Sequence, residues 1–220
     1  MNNIPVKFDL FITTTSLEKY IYIINYIKKY SKANYFEVLI VENKGRDILP
    51  FLKQIKSKFR KYKYICHIHS KKSKHSKTVS LGVNWRKYLL NNLLGNTDIV
   101  SNILQTFENN EKLGFIFPEA YFGIIKFFFL LTNGTKSWMN FLANQFFPNY
   151  KIGKLLNFPA GNMFWARIDA IFQIFTYDLS KYFPKENNQT NDTIMHGIER
   201  IWLYLVRFNH FYYKSTFKFF

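Results

Sequence analysis

The 220-residue chain predicts an α/β fold on a mostly parallel sheet flanked by helices. Three β-rich segments near its start are separated by two amphipathic stretches of helical period. Parallel neighbours need a crossover of about a dozen residues or more, which those stretches supply. Val6 to Thr13 (VKFDLFIT) is apolar and β-rich, and Ser16 and Glu18 offer helix-start chemistry for an amphipathic segment from Glu18 to Tyr30. Tyr35 to Val41 (YFEVLIV) repeats the strand pattern, Asn43 to Asp47 supplies a turn, and Ile48 to Tyr62 reads as a Lys-rich helix. A third strand follows at Tyr64 to Ile68. The first half is thus βαβαβ, the arrangement of nucleotide-binding units.

His69 to Gly82 (HSKKSKHSKTVSLG) is polar and basic with no apolar period, so it reads as a loop leaving the carboxyl end of the third strand. Ligands of open α/β sheets gather at that end. Asn84 to Leu94 and Asp98 to Glu108 read as helices, Leu113 to Pro118 as a strand, and the aromatic segment up to Pro148 as helix. Ala160 to Arg167 suggests a further strand, Ile168 to Phe175 a short helix, and Asp192 to Phe208 a longer helix capped by Asn191 or Asp192. No repeat or linker interrupts the chain. One domain is expected, with a nucleotide-binding half over about residues 1–82 and an acceptor-side half over about 83–220.

With 48% apolar and 20% aromatic residues the chain is neither disordered nor fibrous. Lys and Arg total 31 against 14 Asp and Glu, a net charge of +17. Such a surplus calls for an anionic partner: nucleic acid, an anionic membrane surface or a phosphorylated small molecule. The lone Cys66 excludes an internal disulfide and a cysteine-based zinc site, and fits a reducing compartment. Met1 to Lys7 has no apolar signal core, and Leu113 to Thr132 is broken by Pro118, Glu119 and Lys126. The expected location is the cytoplasm, including a peripheral position at the inner face of the membrane.

Four constellations carry possible chemistry. In VENKGRD, Val41 to Asp47, a carboxylate and an amide just past a strand suit a ribose or base, although an ordinary turn gives the same pattern. In CHIHSKKS, His67 and His69 alternate on a strand and Lys71, Lys72 and Ser73 follow. Between Asp47 and Asp98 there are twelve Lys or Arg, three His and no Asp or Glu, so a carboxylate-held divalent metal is not expected there. His69, Lys71 and Lys72 are instead suited to neutralising a diphosphate. In FPAGNMFWAR, Met163 and Phe164 read as core, while Trp165 is a candidate floor for a sugar. In NDTIMHGIER, Asp192, His196, Glu199 and Arg200 recur at helical spacing, as either a reactive face or a salt-bridge ladder.

Taken in order, ENKGRDILPFL, YICHIHSKKS, NWRKYLLNNLLG, LGFIFPE, FPAGNMFWAR and DTIMHGIERI resemble the rhamnan synthesis protein F family, associated with rhamnose-containing cell-surface polysaccharides. They span residues from about 40 to 201. A more distant resemblance is to GT-A glycosyltransferases, which implies a GT-A-like nucleotide-sugar-binding fold. The DxD metal motif of that class is absent from this sequence, so no metal ligand and no divalent cofactor is assigned.

The resemblance implies a glycosyltransferase that moves rhamnose or another hexose from a nucleotide-diphosphate donor to a cell-surface polysaccharide or lipid-linked glycan. Asn43, Arg46 and Asp47 would hold the nucleoside part of the donor, and His69, Lys71 and Lys72 its diphosphate. Trp85, Arg86, Gly161, Trp165 and Arg200 would face the acceptor or sugar. Asp192 and Glu199 are the candidate bases, with His196 beside them. Asp192 ranks first because pairing with Arg200 is expected to lower the Glu199 pKa. The basic surplus and the aromatic tail His210 to Phe220 suit an anionic lipid surface. The rival readings are an inactive scaffold of a polysaccharide-assembly complex and a basic nucleic-acid-binding module, the latter without any recognisable motif.

Overall fold

A computed structural model describes residues 8–14, 16–30, 35–40, 45–56, 63–70, 79–122, 132–150, 152–153, 157–185, 189 and 191–216. The chain opens with β1 (Phe8–Thr14), α1 (Leu17–Tyr30), β2 (Tyr35–Ile40), α2 (Ile48–Lys56) and β3 (Tyr64–His69). These are the five elements that the alternating β and amphipathic patterns predict. Next come α3 (Val79–Leu94), α4 (Thr97–Glu108), β4 (Leu113–Pro118) and α5 (Asn133–Phe146). The basic segment expected to be loop as far as Gly82 is helical from Val79. The chain closes with β5 (Phe164–Arg167), a 3-10 turn at Ile168–Ala170, α6 (Gln173–Thr176), a 3-10 turn at Ser180–Tyr182, α7 (Ile194–Phe208) and β6 (Tyr212–Thr216).

The six strands lie in the order β2-β1-β3-β5-β4-β6. β1 pairs in parallel with β2 and β3, β4 in parallel with β6, and β5 runs antiparallel to both β3 and β4. This is an α/β domain with a mostly parallel sheet. The reversal of β5 has a local cause. Gly161 and Asn162 turn the chain at φ of 84° and 53°, so β5 enters the sheet where the parallel strands leave it. The strand expected from Ala160 therefore begins at Phe164.

Both faces of the sheet are covered, and every residue of β3, β4 and β5 is buried. One layer packs Phe51, Phe115, Phe164 and Trp202 between the sheet and α2, α5 and α7. The other packs Phe8, Tyr64, Leu93, Phe107 and Trp165 against α1, α3 and α4. α7 is buried over most of its circumference, including Ile198, Ile201, Trp202 and Leu205, which marks a central helix rather than a surface one. Cys66 is buried, and burial pushes its thiol well up, so it acts as a small core apolar group. Among the described residues no helix is long and apolar enough to cross a membrane.

The expected aromatic tail is different in form. After α7 the chain turns at Asn209 and His210 and adds Tyr212–Thr216 to the sheet as an edge strand. Its polar, partly exposed pattern is that of a guarded edge, and it gives little sequence signal. Phe217 to Phe220, residues 57–62 of the second predicted helix and residues 123–131 of the aromatic segment lie outside the described residues.

Candidate functional site

The chain leaves β1 for β2 on one side and then for β3 on the other, which makes the carboxyl ends of β1 and β3 a topological switch point. Open α/β sheets form ligand crevices at such points. Here β3 supplies His67 and His69, the turn before α2 supplies Arg46 and Asp47, the turn before β5 supplies Gly161 and Asn162, and α7 supplies His196, Glu199 and Arg200. His67 and His69 are two residues apart on a strand, so both face the α2 and α7 side. Segments remote in sequence thus deliver titratable groups to one spot.

Asp47 is the buried anion of the cluster. Its Oδ2 accepts from Asn162 Nδ2 at 2.6 Å and lies 3.7 Å from His67 Nε2 and 3.8 Å from His69 Nε2. Burial opposes its ionisation, but His69, His67 and the Asn162 amide outweigh that cost and hold the carboxyl below its ordinary range. Asn162 is itself fixed, since Trp202 Nε1 donates to its Oδ1 at 2.8 Å. His67 stacks on Phe51 with ring centroids 3.8 Å apart, and burial lowers its pKa against the pull of Asp47. Asp47, expected at the donor, has its side chain turned inward and only 9% exposed.

Glu199 stands across Gly161 from this cluster. Gly161 N donates to Glu199 Oε1 at 3.0 Å, and Gly161 O accepts from His69 Nε2 at 2.6 Å. A carbonyl only accepts, so His69 carries its proton on Nε2. Glu199 Oε2 lies 3.5 Å from Arg200 Nη1, the pairing that the sequence predicts. The consequence is the reverse of the expected one: burial raises the Glu199 pKa, and Arg200 and the Gly161 N–H only partly offset it.

A second relay joins Arg46 to α7. Arg46 Nη1 lies 3.1 Å from His196 Nε2, its Nη2 donates to the Gln189 carbonyl, and His196 Nδ1 lies 2.7 Å from Thr193 Oγ1. A guanidinium has no acceptor, so His196 accepts at Nε2 and donates at Nδ1. Arg200 Nη1 donates to the His196 carbonyl at 3.1 Å, and its guanidinium lies 4.8 Å over the Phe158 ring. The Nε atoms of Arg46 and Arg200 are buried with no partner. Buried donors left unpaired at a crevice suit an anionic ligand.

The remaining predicted residues divide in three. Trp85 and Arg86 on α3 reach this rim: a Cβ on Gly161 would meet Trp85 Cζ2 at 3.0 Å, and Arg86 Nη1 donates to the Ser70 carbonyl at 3.3 Å. Trp165 does not reach it. It is wholly buried, packed 4.6 Å from Phe8 and donating through Nε1 to Leu93 O, because residue 165 faces the opposite side of the sheet. Asp192 does not join Glu199 either. It precedes α7, whose N-cap is Thr193, and its Oδ1 accepts from Thr132 and, at 2.9 Å, from the Thr135 N–H at the start of α5. The Thr132 bond comes first among the causes that lower its pKa. Asn43, Lys71 and Lys72 lie outside the described residues.

Asn162, Trp202 and Thr193 belong to the site and are not among the candidate residues, although Asn162 and Thr193 lie inside two of the quoted segments. The Pro159-to-Asn162 turn chemistry marks the first, and Thr193, three residues ahead of His196, marks a helix start. Among the described residues no group of three His, Cys, Asp or Glu is arranged to hold a metal ion. A separate groove of about 380 Å³ lies at the other edge of the sheet, lined by residues such as Asn102, Ile103 and Lys214. It has no comparable set of coupled titratable groups.

Gly161 is the hinge of this geometry. Its φ is +84°, and an added Cβ would sit 2.9 Å from Leu89 Cδ1. Gly161→Ala is expected to cost about 1 to 3 kcal/mol, read as a lower denaturation midpoint. It should also loosen the N–H bond to Glu199.

Comparison with known proteins finds relatives over most of the chain. The uncharacterized protein WxcX of Xanthomonas campestris pv. campestris, from strains B100 and ATCC 33913, is 30% identical over 191 residues. The match covers 86% of this chain and 26% of each relative, so the chain spans about a quarter of the length of these curated relatives. No solved structure matches. The sequence model of rhamnan synthesis protein F matches residues 1–211, through the whole site from Arg46 to Arg200, and the chain therefore belongs to the rhamnan synthesis protein F family.

Proposed function

We propose that this chain is a GT-A-like glycosyltransferase that moves rhamnose or another hexose from a nucleoside diphosphate to a growing polysaccharide or lipid-linked glycan. The observation that carries the reading is Glu199: a carboxylate with a raised pKa, fixed by a backbone N–H, beside a crevice bearing two guanidinium groups with unpaired Nε atoms. Glycosyl transfer needs a base for the acceptor hydroxyl and positive charge for the leaving diphosphate. Glu199 takes the proton as the acceptor oxygen bonds to the anomeric carbon. The bond from that carbon to the diphosphate breaks, and the leaving group departs with the electron pair toward Arg46.

Asp192 yields first place as base because its carboxylate is engaged at the start of α5 and its pKa is lowered. Asp47 and His69 act on the site by holding Gly161 and Asn162. Trp85 and Arg86 are the acceptor-side candidates at the same rim, and Lys71 and Lys72 remain candidates for the donor diphosphate.

A thermal-shift series with dTDP-rhamnose, UDP-glucose, UDP-galactose and GDP-mannose, with and without Mn²⁺, tests the reading. One nucleotide sugar at about 100 times its Kd should add about 2.7 kcal/mol of stability. No shift with any of them overturns the donor site, and a shift without turnover on any glycan acceptor points to a binding scaffold.

A further inference from the structure

Five large apolar side chains stand in solvent at one end of the sheet: Leu17 at 63%, Ile21 at 51%, Tyr22 at 44%, Ile40 at 53% and Phe122 at 88% exposure. Among the described residues only Tyr150 and Tyr212 are also exposed to this degree, and they are the least exposed of the seven. The five are not scattered. Ile40 ends β2 in register with Thr14 at the end of β1, and Leu17 opens α1 directly after it. Leu17 and Ile21 are four residues apart on α1, so they form an outer stripe while Ile23 and Ile27 fill the core.

Side-chain contacts join these residues to the mouth of the site. Arg86 on α3 lies 5.5 Å over the Tyr22 ring and donates to the Ser70 carbonyl at the end of β3, where Ser70 Oγ donates to Thr14 Oγ1 at 2.7 Å. Phe122 follows β4, and its neighbour Tyr121 packs 5.4 Å from Tyr88, two residues along α3 from Arg86. A Cβ at Gly161 would meet Trp85 of the same helix. The apolar points therefore ring the carboxyl end of the sheet on its α1 and α3 side, beside the crevice.

Arg86 and the exposed Lys87 stand on this rim with the exposed carboxylates Glu18 and Glu119, on a chain whose net charge is +17. Protruding Leu, Ile, Tyr and Phe side chains interleaved with cations match a lipid interface, where apolar groups enter the headgroup boundary and cations meet anionic lipid. A contiguous apolar patch without charge would favour a protein partner instead.

We propose that this rim seats the chain on an anionic bilayer, with Leu17, Ile21, Tyr22, Ile40 and Phe122 entering the interface and Arg86 and Lys87 meeting lipid headgroups. The crevice then opens at headgroup height, where a lipid-borne acceptor would present its glycan. The seat goes beyond the catalytic reading and does not depend on it, because vesicle binding needs no turnover.

The test is flotation of the purified chain with phosphatidylcholine vesicles, with and without about one quarter phosphatidylglycerol. The chain is expected to float with the mixed vesicles and not with phosphatidylcholine alone, and to be released in part by salt. The triple variant Leu17→Ser, Ile21→Ser, Phe122→Ser should bind at least about tenfold more weakly. Phe122→Ser alone and Lys87→Glu should each weaken binding, and their exposed positions leave the melting temperature as a check on folding. Absence of flotation by the unsubstituted chain overturns the proposal, as does equal flotation of the triple variant. A dimer that the triple variant dissociates, with no flotation, would make the rim a contact between copies.

Discussion

Glu199→Gln is expected to lower kcat by about 10² to 10⁴ while the nucleotide-sugar Kd stays the same. Glutamine still accepts from the Gly161 N–H, so the local geometry survives and only the proton acceptor is lost. The pH profile gives an independent reading. Burial raises the Glu199 pKa, and the base must be ionised to act, so the acid limb of kcat should lie above the ordinary carboxyl value near 4.3. In Glu199→Gln that limb should vanish from the residual rate. Asp192→Asn is the matched control. It weakens the acceptor that caps α5 and should cost about 1 kcal/mol of stability with kcat retained. Turnover lost in Asp192→Asn and kept in Glu199→Gln would return the base to Asp192.

Asp47→Ala is expected to cost about 3 kcal/mol or more, because it leaves the Asn162 amide and two histidines without their buried anion. For a domain of this size that is a fall in Tm of roughly 6 to 12 °C. Asp47→Asn keeps the shape and should cost less. The pH dependence has a defined sign. A depressed folded-state pKa means that the contribution of Asp47 is present above its unfolded value near 3.9 and is lost as pH falls toward the folded one. His67 adds to the same slope. Its lowered pKa means that the unfolded chain takes up a proton first as pH drops below about 6.5. Stability should therefore decline on the acid side in two stages, and Asp47→Asn should flatten the lower one. Urea melts at stepped pH read this directly, and an unchanged lower stage in Asp47→Asn would remove Asp47 as its source.

The residues that were legible in the sequence are those whose role is local. The βαβαβ half follows from apolar alternation and helical period, which depend only on neighbours within a few residues. The Glu199 to Arg200 pairing was legible for the same reason. Its consequence was not: the pKa of Glu199 is set by burial beside a distant turn, and burial is a property of the assembled layers. Trp165 shows a further limit. An apolar strand residue reads alike on either face, and only the pairing with β3 puts its ring against Phe8 rather than into the crevice.

Asp192 and Asn162 mark the same boundary in opposite directions. Asp192 stands at helical spacing from His196 in the sequence, yet the chain turns at φ 63° there and gives its carboxylate to another helix. Asn162 lies inside FPAGNMFWAR without being singled out by it, yet it joins Trp202 to Asp47 across three elements. The sequence by itself determined the fold class, the family and the strand ends where a site would form, because periodicity and motif order are read along the chain. The tertiary structure decided which carboxylate is held low by histidines, which caps a helix and which has its pKa raised by burial. That choice depends on contacts between residues some 40 to 150 positions apart, and on the dielectric they create.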